Sequence, residues 1–187
     1  MHNSRHALIH LIAFLVLSSA AIVTAQNSSR PAKPAPVSRT PRPAVTTPTT
    51  KDPFIGVWTL NRQKSKYESG GAPNSFTRTY EDRGGGTIFM TMDVTIPQGS
   101  ARTYLVYRRD GKPYPEAAAG VESIRMVAIT ASDPRTEEMS FIVNGKPSET
   151  PSTITISADG MTMTQVVSGR DAKGKAFTNT VVYDKQP

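Results

Sequence analysis

Asp52-Pro53-Phe54-Ile55-Gly56-Val57-Trp58-Thr59-Leu60-Asn61 holds the chain's single tryptophan and begins a long series of strand-length segments. A short turn over 52–54 leads into β-branched and large apolar residues. Period-two alternation of this kind marks a half-buried strand, and it recurs to the C-terminus. Candidate strands fall at 56–61, 74–83, 87–96, 101–109, 122–131, 137–143, 152–157, 161–168 and 177–185. In 87–96, Ile88, Met90, Met92, Val94 and Ile96 share one face. Gly84-Gly85-Gly86, Asp110-Gly111, Asn144-Gly145 and Asp159-Gly160 supply turns, and Asn-Gly is a strong short hairpin signal. The polar stretch 62–73 and the Pro/Ala/Gly stretch 113–120 read as loops. No segment carries a helical period. Nine short strands joined mostly by tight turns predict an all-β fold, a single antiparallel up-and-down barrel of about 8–10 strands; closure removes unpaired sheet edges. A two-sheet sandwich is the structural alternative.

Upstream of this segment the composition changes twice. Arg5 with His2 and His6 forms a polar start, residues 7–23 are almost continuously apolar, and Val23-Thr24-Ala25 precedes Gln26. That is the pattern of a secretory signal peptide cleaved after Ala25, predicting export to the periplasm or the cell exterior. An uncleaved anchor fits less well, because Ser18 and Ser19 interrupt the run and a span needs ~20 apolar residues. Residues 26–51 carry six prolines (31, 34, 36, 41, 43 and 48) among Ala, Ser and Thr and no aromatic residue. Such a stretch buries too little apolar surface to offset its ordering entropy, and reads as an extended disordered linker. Residues 52–187 are the size of one domain.

The formal charge of +7 belongs mostly to the linker. Only Arg5, Arg30, Lys33, Arg39, Arg42 and Lys51 of the 22 Lys and Arg precede residue 52, and all 15 acidic residues lie within 52–187. The domain is therefore nearly neutral and lacks the basic face with interleaved aromatics that nucleic-acid binding uses. The cationic linker predicts at most a weak contact with anionic envelope polymers or lipid headgroups. Arg78, Asp93, Arg102, Arg108 and Arg125 interrupt the candidate strands, which argues against a transmembrane barrel with its continuous lipid-facing apolar band.

The residue inventory narrows the chemistry. Cysteine is absent, and the three histidines, His2, His6 and His10, all lie in the targeting segment. The domain has no thiol nucleophile, no Ser-His-Asp triad, no Cys/His zinc set and no His or Cys for haem. No cofactor, metal site or catalytic residue is expected. Adjacent carboxylates Glu81-Asp82 and Glu137-Glu138 point to opposite faces of a strand, cannot flank one bond, and read as solvated surface acids. An isomerase or hydrolase using Asp, Glu, Tyr or Lys in a pocket stays open. Gly84-Gly85-Gly86 lacks the Lys-Ser/Thr and the helix of a phosphate loop.

Three segments resemble the lipocalin-like (calycin-type) β-barrel domains of bacterial exported proteins. They are the opening 52–61 with Lys64-Ser65-Lys66-Tyr67, the middle Arg78-Thr79-Tyr80-Glu81-Asp82-Arg83-Gly84-Gly85-Gly86 with Asp110-Gly111-Lys112-Pro113-Tyr114-Pro115, and the end 157–164 with Val182-Tyr183-Asp184-Lys185. The resemblance implies that Gly56 lets two backbones approach and that Trp58 plugs the closed end of the barrel. The arginine that packs on that tryptophan in lipocalins is not evident, Lys185 being the candidate to take its place, and a middle-strand Thr-Asp-Tyr motif is missing. The resemblance also implies a small apolar ligand inside.

Met90, Met92, Tyr107, Met126, Phe141 and Met163 are the candidate lining of such a site, thioethers being pliable apolar filling. Paired methionines also suit Cu(I), but no histidine accompanies them. Arg78, Arg108 and Arg109 read as exposed by default; any that turns inward needs a partner and is then a candidate anchor for an acidic group. The competing expectation is a filled barrel acting as a non-catalytic envelope module on its basic stalk.

Overall fold

The computed structural model describes residues 51–118 and 125–187, so the targeting segment, all of the linker but Lys51 and the start of the 122–131 strand lie outside it. Eleven strands occupy the described residues: β1 (Gly56–Leu60), β2 (Ser75–Asp82), β3 (Ile88–Ile96), β4 (Gly99–Tyr107), β5 (Asp110–Ala118), β6 (Arg125–Asp133), β7 (Thr136–Val143), β8 (Lys146–Pro147), β9 (Ser152–Ile156), β10 (Thr162–Arg170) and β11 (Ala176–Lys185). All pairings are antiparallel. They run β6-β5-β4-β3-β2-β1-β11-β10-β9-β7, and β7 pairs back onto β6. Ten strands thus close a ring, and β8 hangs on the end of β7 alone. Closure through β6 and β7 excludes the sandwich.

The turns follow the sequence. Asn144 and Gly145 both have positive φ, 50° and 75°, as a two-residue hairpin requires. Gly84, Gly85 and Gly86 all take positive φ between β2 and β3, conformations that a side chain at any of the three would oppose.

One element contradicts the sequence expectation. The stretch 113–120 is not a loop: through Ala118 it belongs to β5. Asp110-Gly111 stays at the bend, at the midpoint of the β4–β5 register with Gly111 at φ of 73°, although Asp110 already pairs with Thr130 on β6. Proline lacks the N–H that a ladder needs, and here the ladder has a gap for it. β4 pairs with β5 at Thr103–Leu105 against Glu116–Ala118; Val106 and Tyr107 have no β5 partner along the stretch that holds Pro113 and Pro115. Those prolines pair only with β6, beyond an irregularity between Asp110 and Pro113.

Burial is graded along most inward-facing rows; β9 stays buried from Ser152 to Ile156, and on β5 Glu116 is more buried than Tyr114. Nearest the end where β1 begins (the base), Trp58, Tyr80, Ile88, Tyr107, Ile129, Glu137 and Ile156 are almost wholly enclosed. Toward the other end (the mouth), the same rows continue with half-buried residues: Phe76 on β2, Met92 and Val94 on β3, Thr103 on β4, Arg125 on β6, Phe141 and Val143 on β7, Val167 on β10 and Phe177 on β11. Side chains fill the base, and solvent reaches the inward face at the mouth.

The base is closed by the turn at 52–54. Ile55 N–H donates to the Asp52 carbonyl at 3.1 Å, and the Asp52 carboxylate accepts from Phe54 N–H at 3.0 Å. This lays Phe54 against Tyr80, with ring centres 6.0 Å apart. Trp58 Nε1 donates to the Phe54 carbonyl at 2.8 Å, and Lys185 Nζ stands 4.8 Å from the centre of the indole while donating to the Pro53 carbonyl at 3.2 Å. Gly56 has φ of 135°, and a Cβ there would lie 3.0 Å from Lys185 Cε.

Trp58→Ala should therefore cost about 3–5 kcal/mol, as removal of a fully buried large aromatic does. Val106→Ala, on the exposed outer face of β4, should stay within about 0.5 kcal/mol. Urea denaturation checks both; similar losses for the two would contradict the enclosed base.

Candidate functional site

Two groups of charged side chains lie inside the barrel. The first belongs to the base. Tyr107 OH donates to Glu137 Oε1 at 2.9 Å, and Arg109 Nε donates to the same oxygen at 2.5 Å. Arg109 also pairs with Asp52 and lies 4.8 Å from the centre of the Phe54 ring. Glu137 is therefore no solvated surface acid: it faces inward, fully buried, on the row of Met139 and Phe141, while Glu138 faces solvent. Burial pushes its carboxyl pKa above the ordinary value against the opposing pull of Arg109 and Tyr107. Burial, with Glu137 next, holds the Tyr107 hydroxyl well above its ordinary value too. This group ties the base turn to β7 and β4.

The second group lies higher. Arg78 on β2 is buried, against the default expectation of an exposed arginine. Its Nη2 donates to Gln165 Oε1 at 2.6 Å and its Nη1 to Tyr80 OH at 3.3 Å. Its guanidinium carbon lies 5.0 Å and 5.1 Å from the centres of the Phe76 and Tyr183 rings. Gln165 Nε2 in turn donates to Ser152 Oγ at 3.2 Å. No carboxylate pairs with Arg78 among the described residues. Burial works against its charge, but the facing Tyr183 and Tyr80 hydroxyls leave its pKa above the ordinary value. The other arginine at this level, Arg125, pairs with buried Glu116 at 2.8 Å and lies 4.4 Å from the centre of the Phe141 ring. Its pKa is lowered by burial first, with Glu116 opposing and the nearby Arg78 adding to the effect.

The proposed lining residues divide by face. Met90, Met92, Phe141 and Met163 lie on inward rows, Met90 and Met163 wholly buried and Met92 and Phe141 half-buried toward the mouth. Tyr107 is inward but committed to Glu137 at the base. Met126 alternates with Arg125 and Val127 and pairs with Ile142, which puts it on the outer face of β6, away from the others. Arg108 is exposed. Of the other tyrosines, Tyr104 stacks on Phe89 outside the barrel at 6.4 Å, and Tyr114 donates to the Asp110 carboxylate. Tyr67, Thr103, Gln165, Ser152 and Glu116, none of them singled out from sequence, complete the polar interior. Among the described residues no group of three or more His, Cys, Asp or Glu is placed to hold a metal ion, and no helix is long and apolar enough to cross a membrane.

A cleft of about 450 Å³ between the β7–β8 hairpin and the β10–β11 turn is lined by Val143, Lys146, Pro147, Thr150, Arg170 and Phe177. Val143 and Phe177 belong to inward rows, so the cleft is part of the mouth.

The raised Glu137 pKa gives a testable sign. A carboxyl that holds its proton longer when folded contributes fully at low pH and loses that contribution as pH rises from its ordinary 4.5 toward the raised value. The urea midpoint of the native protein should fall relative to that of Glu137→Gln as pH is raised from about 4 to about 8. A difference moving the other way would show that pairing with Arg109 outweighs burial.

No family model matches the sequence, and no curated protein matches it. Among solved structures the chain is similar to a redesigned β-barrel, at 12% identity over 72% of this chain and 93% of that one, with a TM-score of 0.41. It is also similar to Rv2717c from M. tuberculosis, at 15% identity over 72% and 94% of the two chains, with a TM-score of 0.43.

Proposed function

We propose that the protein is an exported lipocalin-like binding domain that holds a small apolar ligand in the mouth half of its barrel. The observation that carries this reading is the exposure gradient. Most inward rows are closed at the base and open toward the mouth, where Met92, Val94, Phe141, Val143 and Phe177 are half-buried. Apolar surface held on a rigid concave wall gains free energy by covering itself with an apolar body, while a few polar groups set the orientation. Methionine suits this lining, since its unbranched, polarizable chain repacks around different shapes. Export rests on the 1–25 pattern, and residues 26–51 then act as a basic extended tether.

Methionine-methyl NMR with 1-octanol, a neutral apolar probe, tests the reading. The Met92 and Met90 methyls should shift on titration, while Met126, on the outer face, and Met161, exposed at the base end before β10, should stay still. A response confined to Met126 and Met161, or none at all, would overturn the chamber.

A further inference from the structure

Buried polar atoms in folded proteins are almost always hydrogen-bonded, so a group of exceptions in one place asks for a cause. One, Glu137 Oε2, lies at the base, and three lie on the inward side of the mouth half: Arg78 Nε and Thr103 Oγ1 have no hydrogen-bond partner among the described residues, and Tyr67 OH has no well-formed one, the Ser65 hydroxyl acting on it only weakly. They come from separate segments. Arg78 pairs with Met92 and Met92 with Thr103, so Arg78 and Thr103 stand in one row across β2, β3 and β4. Tyr67 reaches this region from the 61–74 connection. Lys66 pairs with Thr180 along β11, and the side chain of Tyr67 packs on the core within electrostatic range of Tyr183 and Arg78.

All three carry an N–H or O–H able to donate, and one of them is a cation. In the same region Glu116 is paired with Arg125, while Arg78 has no carboxylate to offset its charge. A buried guanidinium held only by ring faces, an amide oxygen and a phenol has no anionic partner. The ring of Phe76, the next inward residue toward the mouth on β2, lies over it.

We propose that the ligand is an amphiphile with one carboxylate head, which displaces the Phe76 ring and binds Arg78 Nε, Tyr67 OH and Thr103 Oγ1 while its apolar tail lies along the mouth wall. This rests on the chamber reading above and specifies the chemistry of its ligand. A carboxylate supplies the missing counter-charge and accepts from all three donors. A neutral alcohol supplies one weaker acceptor, and an amine places a second cation beside Arg78. Hydrogen bonds to an ionised partner are about twice as strong as neutral ones.

The test compares octanoate, 1-octanol and octylamine, three heads on one tail, by the same methionine-methyl titration of the full domain. Octanoate should bind roughly tenfold or more tighter than octanol, and octylamine more weakly than either. Arg78→Met, close in volume, should retain octanol binding and abolish the preference for the acid. Tyr67→Phe and Thr103→Val should each reduce that preference in part. The carboxyl carbon of ¹³C-labelled octanoate, bound to the native protein, should titrate at lower pH than in the free acid. This readout and the native three-head comparison decide the matter even if Arg78→Met does not fold. Equal affinity for octanoate and octanol, or an unshifted carboxyl titration, would overturn the head-group assignment and leave the chamber standing. Failure of all three ligands to perturb Met92 and Met90 would overturn both.

Discussion

A sheet that closes on itself has an inside of fixed size, and every second residue of ten strands must share it. That constraint governs the rest of this molecule. The pairing of β6 with β7 completes the ring and turns the period-two alternation of the sequence into one interior surface. At the base the surface is filled by Trp58, Phe54, Tyr80 and Tyr107 and sealed by Arg109 acting between Asp52 and Glu137. Sealing one end decides where the other polar interior groups stand, since they are left beneath an end the described side chains do not fill.

The two internal arginines illustrate the difference between a structural and an available charge. Arg109 is matched by two carboxylates and stacked on Phe54, so its contribution ends with fastening the base turn. Arg78 has the same burial problem with a poorer solution, met by rings, a glutamine and a tyrosine. Folding alone gives little reason to keep a cation there, since apolar residues of similar volume often replace buried charges at no loss of stability.

The barrel itself was legible because its signals are local. Alternation, Asn144-Gly145, the triple glycine and the segment around Trp58 each mark an element without reference to the others, and the observed strands from β1 to β4 follow them closely. β5 was not legible, because Pro113 and Pro115 are breakers by composition, and only the β4–β5 gap makes room for them. The site was harder to read. Phe76, Arg78 and Tyr80 share a phase, and so do Glu137, Met139 and Phe141; following that phase would have placed Arg78 and Glu137 inside. Charge argued for the surface and outweighed the phase. Met126 erred the other way, its hydrophobicity masking that it alternates with Val127 and Ile129. What no local pattern carries is the approach of Tyr67 to Arg78, which depends on the longer path of residues 61–65 between two points of attachment to β11.

The interrupted ladder between β4 and β5 has a mechanical consequence. Cooperative resistance to opening is carried by continuous runs of backbone hydrogen bonds, and here one run stops at Leu105 while the neighbouring strand has two residues with no hydrogen to donate. Such a ring has a seam. Strain applied to the wall, from a guest too wide for the bore or from thermal breathing, meets less resistance at this ladder and at the equally short β1–β11 ladder, while β2–β3 and β10–β11, paired along almost their whole length, hold their shape. The bore is in that sense a gutter with stiff staves and a few yielding ones.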